Sequence, residues 1–285
     1  MKIFDNLDLA DYNSYRIASV CKRAFFPENE QDIQQIFTTY AGPKKIIVGS
    51  GHNIILSKEF YEDDFVIFSG NFDQVVCEGE RIQAQSGVSM LELSNIALAN
   101  SLGGLELFYD IPSSLGGAVV MNAGASGEDI KNLLVKVRYY DTLEGSFHEV
   151  MREDIDFEYR NSFFQKNPHL LITHAELKLS YKDQEQIAEK METNKAARWA
   201  KQPKDFPNAG SVFKRPEGYF VGAMMDELGL KGLAVGGAKI SEKHGGFIVN
   251  FNAASGKDIV DLISIVKVHI QKKYNIDIEI EQRII

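Results

Sequence analysis

The sequence is short of cysteine, of long apolar runs and of positive charge. Cys21 and Cys77 are its only cysteines, which gives no disulfide framework and no metal-ligand spacing. A reducing, cytoplasmic setting is therefore expected, with no metal. No apolar run approaches the ~20 residues that span a bilayer, so no membrane partner is expected. The opening stretch 1–8 mixes acids with apolar residues and has no apolar core of a signal peptide. Lys and Arg number 31 against 40 Asp and Glu, for a net charge of −9. Proteins that bind a duplex displace counterions with a positive face, so nucleic acid is not an expected partner. An anionic small ligand would have to be held by local amides and a few cations, against the overall field.

What is present is ordinary globular material: 44% hydrophobic and 25% charged residues in 285. That length suits two or three compact units. Residues 24–26 read as a strand stopped by Pro27. Asn29 followed by Asp32 marks a helix start, with Ile33, Ile36, Phe37 and Tyr40 on one face. Strands are expected at 44–48, 54–56, 64–68, 74–78 and 81–85, and Ser89 with Glu92 opens a helix by the capping-box pattern. A hairpin at 133–150, a strand at 170–181 and a charged helix at 183–198 follow. After Pro203 come a helix at 221–228, strands at 238–240 and 247–250, and a long amphipathic helix at 255–274. That last helix turns Ile259, Leu262, Ile263, Val266 and Ile270 inward. The chain ends in alternation, with Ile276, Ile278 and Ile280 on one face. There is no internal repeat. The class is α+β.

Three constellations could carry chemistry. In the first, Gly49-Ser50-Gly51-His52-Asn53 sits between two apolar strands, where glycines let successive amides converge on a phosphate. Taken alone it reads as an ordinary tight turn, and Ile54 stands where a Rossmann fingerprint needs its third glycine. The second runs from Asp110 through Pro112, Ser113, Ser114, Gly116, Gly117, Ala118 and Asn122 to Gly124. Small residues, a fixed proline turn and an Asn amide suit a backbone-lined dinucleotide site, and their density argues against mere close packing more than the first turn does. The third is dispersed: Tyr159-Arg160-Asn161-Ser162-Phe163, then 208–216 around Ser211, and finally Glu281-Gln282-Arg283-Ile284-Ile285. On spacing alone Arg160 is a surface cation, Ser211 a turn hydroxyl and Glu281 the outer face of an edge strand.

Together, in this order, the three resemble the UDP-N-acetylenolpyruvoylglucosamine reductase family. Its motifs run Gly-Gly-Gly-Ser-Asn, Ile-Pro-Gly-Thr-Val-Gly-Gly-Ala with Asn-Ala-Gly-Ala, Tyr-Arg-x-Ser-x-Phe, Ala-Gly-Ser-Val-Phe-Lys-x-Pro and Glu-Val-Arg-Ile-Ile. The matches extend from about Asn13 to the end, and the chain resembles the shorter type that lacks a tyrosine-bearing loop. It departs at His52, Asp110 and Ser113, and at Ala223, where similar sequences carry Lys. The resemblance implies a two-lobed vanillyl-alcohol-oxidase-like FAD-binding fold plus a C-terminal α/β substrate-binding domain. The expected division is 1–70 and 71–200 for the lobes, with a terminal strand at 275–285 joining the second, and 201–274 for the substrate domain. Non-covalent FAD would lie on Gly49, Ser50, Gly51, His52, Asn53, Ile54, Pro112, Ser113, Ser114, Gly116, Gly117, Ala118, Asn122 and Gly124.

The resemblance also implies the reaction. Hydride passes from NADPH to the flavin, and then to the methylene carbon of an enolpyruvyl ether on a nucleotide sugar. Arg160 would hold the carboxylate, whose charge grows in that step. Ser211 would protonate the neighbouring carbon, and Glu281 would help polarise the carboxylate if burial or nearby negative charge keeps it protonated. Lys201, Arg215 and His244 would contact the phosphates of the substrate or of NADPH. A monomer is expected. Two other readings stay open from sequence: an oxygen-using flavin oxidase of the same fold, and a non-catalytic flavin or nucleotide-sugar binding relative.

Overall fold

Asp141 accepts the amides of Leu143 and Glu144 at 2.8 and 3.1 Å, an Asx-type turn. It joins strands Leu134–Asp141 and Ser146–Met151, the expected hairpin. In the computed structural model, which describes residues 1–125 and 127–285, this hairpin is the edge of a five-stranded antiparallel sheet. The order is Ser146–Met151, Leu134–Asp141, Leu170–Lys178, Arg81–Gln85, Val75–Glu78. Successive side chains of a strand point to opposite faces. Tyr139 pairs with Ile172 and Tyr140 with Leu171, and the neighbours belong to two separate cores. Ile172, Val137, Ala175 and Leu177 pack with Met90, Leu93 and Ala97 of helix Met90–Ala99 and with Leu115, Ala118 and Val119 of helix Leu115–Val120. Tyr140 and Leu171 pack instead with Phe25, Phe72 and the inward pair Ile33 and Ile36 of helix Glu30–Thr38. That helix starts at Asn29, whose side chain accepts the Asp32 amide at 2.9 Å.

These elements lie in one of two compact units, composed of Met1–Phe4, Ala24–Ser50 and Asp63–Ala197. In the same unit Lys45–Val48 pairs in parallel with the strand ending at Ile67, in the register Lys45 to Asp64 and Val48 to Ile67. This strand delivers the chain into Gly49.

The other unit is made of Asp5–Arg23, Gly51–Glu62 and Arg198–Ile285. Its antiparallel sheet has the order Ala234–Val235, Ala238–Ile240, Ile248–Asn250. Helix Gly256–Tyr274 opens with a full capping box between Ser255 and Asp258, and ends on Asn275 at φ +57. The five expected apolar residues are all buried along it, each contributing roughly 1.5–3 kcal/mol relative to exposure. The terminal alternation is partly realised. Ile278 is buried while Asp277 and Glu279 are exposed, but regular pairing is confined to Arg283–Ile284, which runs parallel to Ile54–Ile55.

Strand Lys2–Asp8 and helix Leu115–Val120 are among the elements not anticipated. Strand Lys2–Asp8 has six exposed residues of seven and so shows no apolar alternation. Helix Leu115–Val120 falls within the segment read as a small-residue loop.

Candidate active site

The turn after Val48 is built on clearance. A Cβ placed on Gly49 would overlap Ser114 Oγ, and the Ser114 amide donates to Ser50 Oγ at 3.0 Å. The first and second expected cofactor segments therefore touch within one unit. Ser114 also begins helix Leu115–Val120, with its side chain accepting the Gly117 amide at 3.3 Å. Farther along the turn, Gly51 takes φ +72, and a Cβ there would collide with the Tyr12 carbonyl. Asn53 follows at φ +66. Its carbonyl accepts the Arg283 amide at 3.0 Å, and its side-chain amide reaches the Glu281 carbonyl at 3.3 Å. His52 is half-buried and Ile54 buried.

Arg160 stands in a two-residue loop between strands Phe157–Glu158 and Asn161–Ser162. Its φ of +51 is a conformation that costs of order 1–3 kcal/mol in a non-glycine residue and persists where surroundings enforce it. Here they do. The Arg160 guanidinium donates to the carbonyls of Asn122, at 3.2 Å, and Gly124, and lies 3.8 Å from an Asp129 carboxylate oxygen. Asn122 returns its side-chain N–H to the Glu158 carbonyl at 2.9 Å, and Ser162 Oγ donates to the Val120 carbonyl at 2.7 Å. The Arg160 loop is thus stitched to the small-residue segment at several points. Asn122 Oδ1 is buried with no hydrogen-bond partner. Pro112 is exposed and Ser113 donates to the carbonyl of Ser114 at 3.0 Å.

In the other unit, Ser211 and Glu281 lie on paired segments. The Glu281 amide donates to the Val212 carbonyl at 2.8 Å, and the Lys214 amide to the Glu279 carbonyl at 2.9 Å. On its other side Ser211 bridges Phe247, with the Val212 amide donating to the Gly246 carbonyl at 2.9 Å. His244 sits in the adjoining turn. Its Nδ1 accepts the Gly246 amide at 3.1 Å and its ring lies 4.9 Å from that of Phe247. Burial holds the His244 imidazole below its ordinary pKa, so the neutral ring is favoured. Ser211, Glu281 and His244 are all half-buried.

Lys201 and Arg215 differ from these. Both are exposed. The Arg215 guanidinium stacks 3.8 Å above the Phe220 ring and donates to the Tyr219 carbonyl at 3.2 Å. Ala223 is exposed on helix Val221–Glu227. Among the described residues no cluster of His, Cys, Asp and Glu could hold a metal ion, and no helix is long and apolar enough to cross a membrane.

Residues 21–150 match the family model of an FAD binding domain, and residues 202–285 match that of the UDP-N-acetylenolpyruvoylglucosamine reductase C-terminal domain. The reductase of that name from Francisella tularensis is 39% identical over 98% of this chain and 99% of its own length. The chain belongs to the UDP-N-acetylenolpyruvoylglucosamine reductase family. The Bacillus subtilis reductase is 37% identical over 100% of this chain and 94% of its own. The crystal structure of the Thermus caldophilus reductase superposes with a TM-score of 0.86, at 30% identity, covering 100% of this chain and 99% of that one. The architecture is α+β, an FAD-binding fold carrying the reductase family's C-terminal domain. The residues fit FAD. A side-chain-free Gly49 beside the Ser114 hydroxyl suits a turn that binds a diphosphate, and the buried Asn122 Oδ1 is an acceptor for a ring N–H of the kind flavin carries.

Proposed function

We propose that Arg160, Ser211 and Glu281 carry the chemistry of this reductase, with FAD held non-covalently on the turn 49–54 and the segment 112–124. The reaction is the NADPH-dependent, FAD-mediated reduction of UDP-N-acetylglucosamine enolpyruvate to UDP-N-acetylmuramate, a step of peptidoglycan precursor synthesis. FAD, when bound, supplies the hydride chemistry between donor and substrate. The chain's own residues do the rest. Addition to the methylene carbon leaves negative charge on the neighbouring carbon, spread into the carboxylate. Arg160 stabilises that charge because a guanidinium is planar, permanently cationic and able to bond both oxygens. Ser211 donates its hydroxyl proton to the neighbouring carbon. A hydroxyl is a weak acid, but the carbanionic centre is a strong base at close range. Glu281, on the segment paired with that of Ser211, polarises the carboxylate in its protonated form. His244, with Lys201 and Arg215, contacts the diphosphate of the substrate or of NADPH.

The observation that supports this assignment is the Glu281 amide bonded to Val212 at 2.8 Å. It ties the backbone of the segment carrying Glu281 to that carrying Ser211, which supports the two acting on one substrate. The experiment is NADPH consumption followed at its absorbance band, with and without UDP-N-acetylglucosamine enolpyruvate and with oxygen excluded. Consumption that requires the enolpyruvyl sugar supports the reading. Consumption that requires oxygen and ignores the sugar would make the chain an oxidase. We further propose a cytoplasmic monomer, contributing through cell-wall synthesis to cell shape and division. Both cysteines are free thiols, in keeping with a reducing compartment, and light scattering tests the oligomeric state.

A further inference from the structure

Next to Glu281 stands Gln282, where the motif that the chain resembles carries an apolar Val. Its side chain is 4% exposed, and a buried amide must find partners or destabilise the fold. It finds three. Nε2 donates to the carbonyls of Ala209 and Gly210 at 3.0 and 3.1 Å. Oε1 accepts the hydroxyl of Tyr15, itself fully buried, at 2.9 Å. The Gly210 carbonyl belongs to the peptide group that carries the Ser211 nitrogen, so holding that oxygen fixes the plane from which the Ser211 side chain projects. Gly210 needs such holding. It takes φ +83, a region where glycine moves freely, and among the described residues its amide is tied only to the neighbouring Asn208 side chain, at 3.2 Å. Tyr15 is anchored in turn, since its carbonyl accepts the Asn250 side chain at 2.8 Å and the Asn250 amide donates to Pro207 at 2.9 Å.

The geometry points to Gln282 as a positioning residue of the protonation step: its side-chain amide clamps the 209–210 carbonyls and so aims the Ser211 hydroxyl. This rests on Ser211 being the proton donor. A valine at 282 fills space but offers no donor, so the clamp is a device of this chain's own sequence. The two carbonyls themselves hold Nε2 toward them, and Tyr15 satisfies Oε1 so that no acceptor of the buried amide is left unpaired. Burial keeps the phenol protonated, and hence a donor, at every workable pH.

The test uses holoenzyme reduced under anaerobic conditions and mixed with UDP-N-acetylglucosamine enolpyruvate in stopped flow, with NADPH reduction of the flavin measured separately. Gln282→Val should slow substrate-driven reoxidation by about 10- to 100-fold, the scale of a small misplacement of a reacting group. It should also raise the solvent deuterium isotope effect on that step and move the NADPH step by less than twofold. Tyr15→Phe keeps both donations to 209 and 210, so it should melt lower yet reoxidise within twofold of wild type. The double variant should melt above Gln282→Val, because no phenol is left unpaired, without recovering the rate. In the apoprotein, amide hydrogen exchange over 209–212 should quicken in Gln282→Val and not in Tyr15→Phe. Gln282→Met, unbranched and of similar length, replaces the valine variant if that one fails to fold. Wild-type reoxidation and isotope effect in the Gln282 variants, beside a slow Ser211→Ala, would overturn the clamp alone. A Ser211→Ala that reoxidises as fast as wild type would overturn the donor assignment and the clamp with it.

Discussion

Removing the ammonium of Lys45 should unfold the flavin-side unit more readily than any loss of surface charge. The Lys45 side chain is 6% exposed and its partner Asp64 fully buried, with Nζ 2.8 Å from Oδ2. The other two ammonium N–H groups are used as well, by the carbonyls of Tyr40 and Pro43 at 2.7 and 3.0 Å. All three donors of the ammonium are thus satisfied. The two residues are register partners in the parallel pairing that ends at Val48, so the pair anchors the strand leading into the turn proposed to hold the cofactor. Lys45→Met removes one partner of a buried pair, which costs about 3–5 kcal/mol because the remaining charge stays desolvated. At about 2–4 °C per kcal/mol for a chain of this size, the melting point should fall by about 6–20 °C. Lys45→Met with Asp64→Leu removes both charges and should recover most of that loss, since apolar pairs often match buried ionic ones. Circular dichroism melts and urea titrations of the apoprotein, with flavin fluorescence for FAD retention, measure both effects. A Lys45→Met protein within 1 kcal/mol of wild type would refute the reasoning.

Three further outcomes are expected. Ser211→Ala should leave NADPH reduction of the flavin near the wild-type rate and slow reoxidation by substrate by about 10²–10⁴-fold; equal reoxidation rates would reduce Ser211 to a turn residue. Gly49→Val drives a side chain into Ser114 Oγ, so FAD affinity measured by flavin fluorescence should drop at least about tenfold with little change in far-ultraviolet circular dichroism, and unchanged affinity would move the cofactor site elsewhere. Burial pushes both His174 and His244 below their ordinary value of 6.5, against the pull of Glu30 at His174 and of a backbone hydrogen bond at His244. The folded chain therefore binds fewer protons than the unfolded one, so this stability is fully present above about pH 6.5 and is lost as pH falls through the folded values. Melting points should decline between pH 7.5 and 5.5, and less so in His174→Gln. Asp258, held down chiefly by the Ser255 amide, acts only below the ordinary carboxylate range, outside that window. A flat wild-type profile would contradict the assignment.

Elements whose signal is local were legible in the sequence. Helix Gly256–Tyr274 declares itself by five apolar residues on one face, and the hairpin around 141–146 by its turn residues. Helix Leu115–Val120 did not, because Gly116 and Gly117 each cost about 1 kcal/mol in a helix. Tertiary packing decides that case: Leu115, Ala118 and Val119 are fully buried, and Gly116 lies against Ser86 where a side chain would clash. The same limit applies to the site. The motifs identify Arg160, Ser211 and Glu281 as residues of interest. Nothing in them shows that Asn122 reaches Glu158, or that Gln282 reaches Ala209, contacts 36 and 73 residues apart in the chain. Such bonds are set by how segments meet, which periodicity does not encode.

The departures from the resembled motifs obey the same physics. Asp110 replaces a glycine and takes φ +59, which is the left-handed region. Asp is several-fold enriched there among non-glycine residues, because its short polar side chain bonds locally. The position therefore demands a left-handed backbone, not the absence of a side chain, and aspartate meets that demand at modest cost. Ser113 also replaces a glycine but does not take a positive φ, so a Cβ there brings no backbone strain, and its hydroxyl finds the Ser114 carbonyl. A motif written in glycines mixes these two requirements. The backbone angles separate them: Asp110 meets the first requirement, and at Ser113 the first does not arise.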